Sequence, residues 1–410
     1  MKKLLQINVS ANLGSTGVIA EEIGLLAMEQ NWESYIAYGR AAANSKNNLI
    51  KIGNNWDKIR HIVETRLFDN HAFSSTKQTE KLIKTIDAIQ PTIVHCHNLH
   101  GYYIHIEILF HYLIKHKIPT IWTLHDCWGF TGHCTFFDSI HCMKWVDGCH
   151  HCEKKRKYPR SIFLDNSKNN FNRKKRLFTL NDNMTLVTVS NWLASHLKKS
   201  FLKDRRIVVI HNGIDVHKFK PATDSALLRE KYNLNKKFVI LGVANVWDER
   251  KGFEDFLELS KIIDNTHIIV LIGLNDKQIR KLPFNVAGIK RTENQMELAK
   301  IYSVADIFLN LSIQESFGLT TLESLACGTP VLVYNKTALP EIINDDVGWV
   351  TEVRDFIKIL HVIEHIRNEH PQYTLDRRLK CREYAVKYFN KDEKYMNYIN
   401  LYNEIDYENL

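Results

Sequence analysis

Two carboxylates, Glu315 and Glu323, have seven residues between them and stand on either side of a glycine-containing turn in the segment 314–331, QESFGLTTLESLACGTPV. The residues after the turn have a helix-like pattern that Gly328 would end. Glu315 precedes this predicted helix, and Glu323 lies one turn inside it. A carboxylate accepts hydrogen bonds from neighbouring hydroxyl groups, so either acid could hold a diol. On a solvated face, the pair would only complement the helix dipole.

The turn between the two carboxylates also predicts an anion site. The helix should begin near Phe317 or Gly318, so its first backbone amides have no partner within the helix. Together with the helix macrodipole, the unpaired amides form a site for a phosphate group. These are the amides of Phe317, Gly318 and Leu319. Gly318 would also let a ligand approach the backbone closely.

Other residues that could do chemistry also follow strand-like runs. Lys251 opens a helical segment, where the helix dipole disfavours a cation, and this favours a functional role. His125 stands at the end of the apolar run 119–126. A glycine-rich loop with Gly14 and Gly17 follows the first strand-like run, which is a weak signal for a phosphate-binding loop when it stands alone.

The elements that must position these residues are strands alternating with helical segments. The apolar runs show no polar alternation, as is typical of strands covered on both faces. They lie at 4–10, 34–39, 92–98, 119–126, 185–190, 207–213, 238–245, 267–273, 306–312 and 330–334. Such alternation predicts parallel sheets built from βαβ units, and ten strands are too many for one ordinary open sheet. We therefore expect two doubly wound domains whose facing strand ends form one ligand cleft.

The boundary between the domains is expected in the segment 211–221, which has turn signals at Asn212-Gly213 and at Pro221. A helical segment, 224–234, follows this boundary. The residues after Tyr384 are helical and rich in aromatic side chains.

The composition is that of a globular protein and excludes fibrous and disordered classes. Of 410 residues, 44% are hydrophobic and 25% are charged, with a formal net charge of +9. No apolar run reaches the ~20 residues that span a bilayer. The apolar run at the N-terminus is short, so we interpret it as a buried strand and not as a signal peptide.

Five segments in register resemble the retaining GT-B glycosyltransferases of family 4. Glu315 and Glu323 match the E-x7-E signature of that family. The segments are VSNWLASHL (189–197), HNGIDVHKFKP (211–221), ERKGFEDFLE (249–258), ADIFLNLSIQESFGLTTLESLACGTPVLVY (305–334) and ALPEII (338–343). The resemblance implies an α/β GT-B fold of two Rossmann-like domains. We expect an acceptor-side domain at 1–208, a nucleotide-sugar domain at 209–383, and a C-terminal helix at 384–410 that returns toward the first domain.

The resemblance also implies a role for each candidate residue. Glu323 would bind the ribose of a nucleotide-sugar, and Glu315 the hydroxyls of the transferred sugar. Lys251 would neutralise the donor diphosphate, and His125 would lie near the donor sugar. The loop that would pack against diphosphate and acceptor consists of Gly14, Ser15, Thr16 and Gly17.

One position departs from the family pattern. The family has an arginine about six residues before the diphosphate lysine, and this chain has Asn245 there. Arg250, next to Lys251, could supply the second positive charge.

The implied reaction transfers a sugar to a hydroxyl with retained anomeric configuration. Because the family that the chain resembles has no clear carboxylate nucleophile for double displacement, front-face attack through an oxocarbenium-like state is favoured. The lysine and the helix amides would bind and neutralise the diphosphate. Since the chain also has no Asp-x-Asp motif to hold a metal ion, no catalytic metal or other cofactor is expected. The expected acceptor is a glycan or a polyprenyl-diphosphate-linked sugar in the assembly of capsule, O-antigen or exopolysaccharide.

A cysteine cluster lies outside this chemistry. Five of the eight cysteines fall within residues 127–152, in an insertion at about 127–160 that also holds several histidines. A reducing compartment disfavours disulfides, and a Cys-x2-Cys pair with further cysteines upstream is typical of structural zinc. The predicted ligands are Cys134, Cys142, Cys149 and Cys152. An Fe–S cluster and free thiols are the alternatives.

Two basic runs follow the cysteines, at 153–160 (EKKRKYPR) and 172–176 (NRKKR). They suggest attraction to anionic headgroups at the inner face of a membrane, or are ordinary solvated lysines and arginines. The expected location is cytoplasmic, without a nucleic-acid partner. Two other functions stay open: a metal-stabilised nucleic-acid or partner-binding module with a vestigial GT-B fold, and a GT-B sugar-nucleotide epimerase.

Overall fold

A computed structural model of the chain describes residues 1–223, 229–230, 234 and 237–408. The helix predicted for 224–234 therefore lies largely outside the described residues. The chain divides into two compact units, one of Met1–His211 with Lys394–Leu410 and one of Asn212–Glu393.

The first unit is built on a seven-stranded parallel sheet in the order β3-β2-β1-β4-β5-β6-β7. Its strands are β1 (Lys3–Ala11), β2 (Glu33–Ala42), β3 (Asn48–Lys51), β4 (Ile93–Cys96), β5 (Thr120–Leu124), β6 (Met184–Thr188) and β7 (Arg206–Val209). The central strands β4, β5 and β6 are buried at every residue, as sheets covered on both faces require. The order reverses between β1 and β4, and such switch points form ligand crevices in open α/β sheets.

The helices of the first unit connect these strands. They are α1 (Gly14–Glu29), α2 (Asn55–Phe68), α3 (Thr76–Ile89), α4 (Ile106–Lys115), α5 (Lys144–Asp147), α6 (Ser167–Thr179) and α7 (Asn191–Leu197), with short 3₁₀ turns at Trp128–Phe130 and Asp138–Ile140. Polar caps set several of the helix starts. Asn54 forms a capping box with Asp57 at α2, and the Ser190 hydroxyl accepts from the Leu193 amide at α7.

The second unit has a six-stranded parallel sheet in the order β10-β9-β8-β11-β12-β13. Its strands are β8 (Phe238–Val243), β9 (His267–Ile272), β10 (Val286–Ile289), β11 (Ile307–Asn310), β12 (Val331–Tyr334) and β13 (Gly348–Thr351). Its helices are α8 (Phe253–Ser260), α9 (Asp276–Ile279), α10 (Gln295–Val304), α11 (Leu319–Ala326), α12 (Phe356–Arg367) and α13 (Pro371–Phe389), with 3₁₀ turns at Glu249–Lys251 and Leu339–Ile342. Here the switch point lies between β8 and β11.

The last helix, α14 (Lys391–Glu408), contributes most of its length to the first unit. Its aromatic face packs into a core with Leu4, Ile93 and Ile121 of the sheet. Two buried tyrosines, Tyr398 and Tyr402, belong to that core, and the Tyr402 hydroxyl lies 2.6 Å from His95 Nδ1. The aromatic residues of the C-terminal segment thus have a packing role.

The predicted pair of doubly wound parallel sheets is confirmed. Every predicted run overlaps a strand, within a few residues at either end. Three strands were not predicted, β3, β10 and β13, and each is an edge strand of four residues. Edge strands are less buried than central ones, so their sequences lack the long apolar runs from which the other strands were recognised.

Candidate active site

In the second unit, Lys251 and Glu315 lie on opposite sides of the crevice at the switch point. Lys251 ends the 3₁₀ turn that follows β8, and Glu315 lies in the loop that follows β11. The lysine ammonium contacts the glutamate carboxylate as an ion pair, with side chains 25% and 18% exposed respectively. Partial exposure leaves both groups accessible to a ligand, while partial burial strengthens their electrostatic interaction.

Backbone contacts hold the two segments together. Gly252, directly after Lys251, has φ +74°, and a Cβ atom there would lie 2.4 Å from the Leu311 carbonyl oxygen. Only glycine permits so close an approach in this left-handed conformation. The Ile313 amide donates to the Arg250 carbonyl at 2.9 Å, and the Glu315 amide donates to Thr337 Oγ1 at 3.0 Å. The ion pair thus rests on a fixed backbone.

The helix after Glu315 begins one residue later than the later of its two predicted starts, Phe317 and Gly318. Gly318 is the N-cap with φ +102°, and α11 begins at Leu319. A left-handed residue cannot lie within a right-handed helix, so Gly318 marks the boundary. Phe317 is buried at 2% exposure and packs against Phe389, which anchors the turn. No side chain caps α11, so a role of its first amides in phosphate binding stays a prediction.

Glu323 lies in α11 with a partner that the sequence did not reveal. The hydroxyl of Tyr302, a fully buried residue of α10, donates to Glu323 Oε2 at 2.9 Å. Burial is the main cause that raises the pKa of Glu323 to about 7. The hydrogen bond from Tyr302 opposes this shift by stabilising the ionised form. Glu323 therefore changes its charge near neutral pH.

Arg250 and Asn245 take separate places near the lysine. The Arg250 guanidinium is half exposed and donates to Asp248 Oδ2 from Nε at 3.0 Å and from Nη2 at 2.8 Å. Asn245 is exposed and lies between β8 and the turn that carries Lys251. The structure therefore gives Arg250 an acidic partner of its own, Asp248.

In the first unit, Gly14 to Gly17 form the first turn of α1 and not a loop ahead of it. Gly14 has φ +69° with open space around it, whereas a Cβ at Gly17 would lie 2.9 Å from Ser10 Oγ. The Asn12 amide donates to the Gly17 carbonyl at 3.0 Å, and Asn8 Nδ2 lies 3.4 Å from Thr16 Oγ1. Ser15 is exposed. The turn follows β1, on one side of the switch point in this sheet.

His125 follows β5 and contacts a second histidine that was not singled out in the sequence. His97, directly after β4, places Nδ1 3.2 Å from His125 Nε2. His97 Nε2 lies 3.0 Å from Gln6 Oε1, and Gln6 Nε2 donates to the Ala20 carbonyl at 2.7 Å. Because the Gln6 oxygen can only accept, His97 must donate from Nε2 and accept at Nδ1. His125 then donates from Nε2 and keeps an acceptor at Nδ1.

Burial keeps both imidazoles neutral. Desolvation is the main cause that lowers the pKa of His125 to about 4, and it lowers the pKa of His97 well below its ordinary value. At neutral pH, His125 can accept a hydrogen bond at Nδ1 but carries no positive charge. The position of His97 after β4, at the switch point, was the signal that could have identified it.

The four cysteines predicted as zinc ligands line one small cavity with His133 and His150. The Cys134 thiol hydrogen-bonds to Cys152, and this is the main cause that lowers the pKa of Cys152 to about 7. Cys149 Sγ accepts from the Gly132 amide at 3.2 Å. Across the described part of the chain, no group of three or more His, Cys, Asp or Glu side chains is arranged to hold a metal ion. The geometry therefore does not support the zinc prediction.

Among the described residues, no helix is both long enough and apolar enough to cross a membrane.

Comparison with known proteins identifies the class of this chain. The family model "Glycosyl transferases group 1" matches residues 224–388, and the model "Glycosyltransferase Family 4" matches residues 53–218. WcaC of Escherichia coli (strain K12), provisionally named as a colanic acid biosynthesis glycosyl transferase, is 22% identical over 376 residues. That match covers 88% of this chain and 89% of WcaC.

Two further proteins are similar to this chain, one in sequence and one in fold. The E. coli UDP-Gal:alpha-D-GlcNAc-diphosphoundecaprenol alpha-1,3-galactosyltransferase is 23% identical over 209 residues, which cover 47% of this chain and 53% of that enzyme. The solved structure of Anabaena Alr3699/HepE in complex with UDP has a TM-score of 0.68 at 13% identity and covers 98% of this chain and 100% of its own. With two parallel-sheet units and matching family models over both, this chain belongs to the GT-B glycosyltransferases of the group 1 and family 4 type.

Proposed function

We propose that this glycosyltransferase moves a sugar, with retained configuration, from a nucleotide-sugar to a hydroxyl of a glycan or lipid-linked acceptor in surface polysaccharide assembly. The observation that carries the proposal is the Lys251–Glu315 ion pair at the switch point between β8 and β11. It brings a cation suited to a diphosphate next to a carboxylate suited to sugar hydroxyls. The names of the E. coli relatives support the proposal, because one includes colanic acid biosynthesis and the other a diphosphoundecaprenol-linked acceptor.

In the proposed mechanism, the second unit binds the donor. The ionised Glu323 accepts hydrogen bonds from the ribose diol, and Glu315 accepts from hydroxyls of the sugar. Lys251 stabilises the negative charge that develops on the diphosphate as the glycosyl bond breaks, with Arg250 as a second cation. Electrostatic stabilisation of this kind is often the largest catalytic contribution, and removal of one donor costs roughly 100-fold in rate.

The first unit contributes His125 and the first turn of α1. The neutral His125 accepts a hydrogen bond at Nδ1 from the donor sugar, and the turn of Gly14 to Gly17 packs against diphosphate and acceptor. The leaving phosphate takes the proton of the acceptor hydroxyl. The acceptor oxygen therefore attacks the anomeric carbon on the same face from which the phosphate leaves. Because cationic side chains and backbone amides of the protein stabilise the negative charge of the diphosphate, the reaction needs no catalytic metal.

Thermal unfolding in the presence of a panel of nucleotide-sugars tests the donor class. A ligand at 100 times its dissociation constant stabilises the folded chain by ~2.7 kcal/mol. We expect one nucleotide-sugar to raise the unfolding midpoint in the presence of EDTA as much as in its absence. Stabilisation by none of them would contradict the proposal, and a strict requirement for a divalent cation would contradict its metal-independent part.

A further inference from the structure

The insertion at 127–160 begins and ends against the loop that follows β4. At its start, the ring centroid of Trp128 lies 5.6 Å from that of His100 in this loop. Near its end, the ring centroid of Tyr158 lies 5.6 Å from the same imidazole. The Lys174 ammonium donates to the Trp128 carbonyl at 2.8 Å, which fixes the start of the insertion. The insertion therefore returns to the carboxyl end of the sheet, where open α/β sheets bind their ligands.

A chain of hydrogen bonds joins Tyr158 to the end of β5. His100 Nε2 lies 2.8 Å from Asp126 Oδ2, and His100 Nδ1 lies 3.0 Å from the Tyr158 hydroxyl. Asp126 Oδ1 accepts from the Trp128 amide at 2.9 Å. Burial alone would raise the pKa of Asp126, but His100 and the Trp128 amide lower it below its ordinary value. Asp126 is therefore an ionised acceptor, and it directly follows His125 in the chain.

The ionised carboxylate sets the direction of these hydrogen bonds. Because Asp126 can only accept, a neutral His100 donates from Nε2 and accepts at Nδ1. The hydroxyl hydrogen of Tyr158 is then bound to His100, and the phenol oxygen has its lone pairs left for a ligand. Burial is the main cause that raises the pKa of Tyr158. The phenol therefore stays protonated and acts by hydrogen bonding, not as a base.

Tyr158 is accessible, although the residue that orients it is buried. Its side chain is 41% exposed, whereas His100 is 9% exposed. The Tyr158 ring packs edge to face against His71 and Tyr102, with ring centroids 5.7 Å and 6.0 Å apart. These contacts fix the ring, and His100 fixes the hydroxyl. An exposed hydrogen-bonding group that packing holds in one orientation is typical of a recognition residue.

We propose that Tyr158 recognises the acceptor by accepting a hydrogen bond from one of its sugar hydroxyls, and that His100 and Asp126 position Tyr158 for this. The inference rests on the proposed function, in which the first unit contacts the acceptor, and it names a residue that selects the acceptor. It also gives the insertion a role in the reaction, as the segment that carries Tyr158 to the strand ends. A site that binds a particular hydroxyl discriminates against a sugar without it.

Kinetics with separate donor and acceptor readouts test the role of Tyr158. Benzyl glycosides and farnesyl-diphosphate-linked glycosides of common hexoses and N-acetylhexosamines serve as acceptors. Tyr158→Phe keeps the ring but loses one hydrogen bond, so it should raise the acceptor KM about tenfold. The donor KM and the slow hydrolysis of the donor by water should stay unchanged. Tyr112→Phe, which removes a first-unit hydroxyl that donates to Asp87, is the control and should change none of these values.

Mono-deoxy versions of the accepted sugar identify the hydroxyl that Tyr158 binds. The unaltered chain should use one of them about tenfold less well, in kcat/KM, than the parent sugar. Tyr158→Phe should use that deoxy sugar and the parent equally well, because the contact is absent from both reactions.

The positioning role of His100 needs a readout that packing alone would not change. His100→Leu should raise the acceptor KM as Tyr158→Phe does. His100→Gln should restore most of the loss, because its amide can donate to Asp126 and accept from Tyr158. Nitrogen NMR of the unaltered chain should find the His100 proton on Nε2, and a proton on Nδ1 would overturn the assigned direction. Tyr158→Phe keeps the test decisive if His100→Leu does not fold.

The outcomes separate this inference from the proposed function. An unchanged acceptor KM in Tyr158→Phe, or the same discrimination against deoxy sugars in both chains, would overturn the inference alone. A lowered unfolding midpoint in Tyr158→Phe, with donor and acceptor values changed alike, would also overturn it, because the hydroxyl would then serve packing. If the unaltered chain neither hydrolyses nor transfers sugar from any nucleotide-sugar, the proposed function is itself contradicted.

Discussion

Lys251 and Glu315 form an ion pair across the crevice between β8 and β11, although 64 residues separate them in the chain. Each follows the carboxyl end of its strand, and the two strands are neighbours in the sheet. The contact holds both side chains in place before a ligand arrives. A bound donor would exchange this contact for contacts to its diphosphate and its sugar hydroxyls, so the site is preorganised for both.

Gly252 should be essential to the position of Lys251. Gly252→Ala puts a Cβ into the Leu311 carbonyl in a left-handed conformation, so we expect a loss of about 2 kcal/mol or more in folding free energy. For a unit of this size, the unfolding midpoint should fall by about 4–8 °C. Gly148→Ala is the control, because a Cβ there meets no atom within 4 Å. Equal midpoints for the two variants would contradict the packing argument.

Glu323 should make the stability of the free protein depend on pH. Because its pKa in the folded state is raised to about 7, its contribution to stability is fully present at low pH and is lost as pH rises through 7. In Glu323→Gln the side chain cannot ionise, so this loss of stability is absent. We expect the unfolding midpoint of the variant to rise relative to the unaltered chain between pH 5 and pH 8. A constant difference across this range would show that Glu323 keeps an ordinary pKa.

The same titration should affect donor binding. The ionised Glu323 is the form proposed to accept from the ribose, so affinity for a nucleotide-sugar should increase as pH rises through about 7. Calorimetry should find this increase in the unaltered chain and a flat profile in Glu323→Gln. A nucleotide-sugar is preferable to a free nucleoside diphosphate, whose terminal phosphate itself titrates near neutral pH.

His97 should act by orienting His125. His97→Phe keeps an aromatic ring but removes the acceptor for His125 Nε2, so the tautomer of His125 is no longer fixed. We expect turnover to fall roughly tenfold, less than in His125→Ala, with little change in donor affinity. Nitrogen NMR of the imidazoles should find a proton on His125 Nε2 in the unaltered chain and a mixture of tautomers in the variant. A proton on Nδ1 in the unaltered chain would refute the assignment.

Arg250 is proposed as the cation that replaces an arginine absent at position 245. Arg250→Ala should lower turnover about tenfold, and adding Asn245→Arg to it should restore part of the loss. Arg280→Ala, in the same unit, is the control. Unchanged turnover in Arg250→Ala would show that Arg250 only binds Asp248, its partner in the structure.

The sequence was informative wherever a signal is local. The buried central strands and the helix boundary near Gly318 follow from neighbouring residues, and the sheets that these strands predicted are present. The edge strands β3, β10 and β13 were not predicted because short, partly exposed strands have no distinctive pattern. Tyr302 and His97 could not be assigned as partners of Glu323 and His125, because those contacts depend on tertiary packing between distant segments.

Two further differences have the same origin. A left-handed conformation at Gly318 moved the start of α11 to Leu319, and α1 begins at Gly14, so the predicted loop is the first turn of a helix.

Turnover of Lys251→Ala and Glu315→Ala with a stabilising nucleotide-sugar and its acceptor tests the central claim most directly. Each variant should keep the unfolding midpoint of the unaltered chain within a few degrees and lose at least about 100-fold in turnover. Lys336→Ala, which removes another lysine of the second unit, should retain activity. Near-normal turnover in either Lys251→Ala or Glu315→Ala would contradict the placement of the reaction at this ion pair.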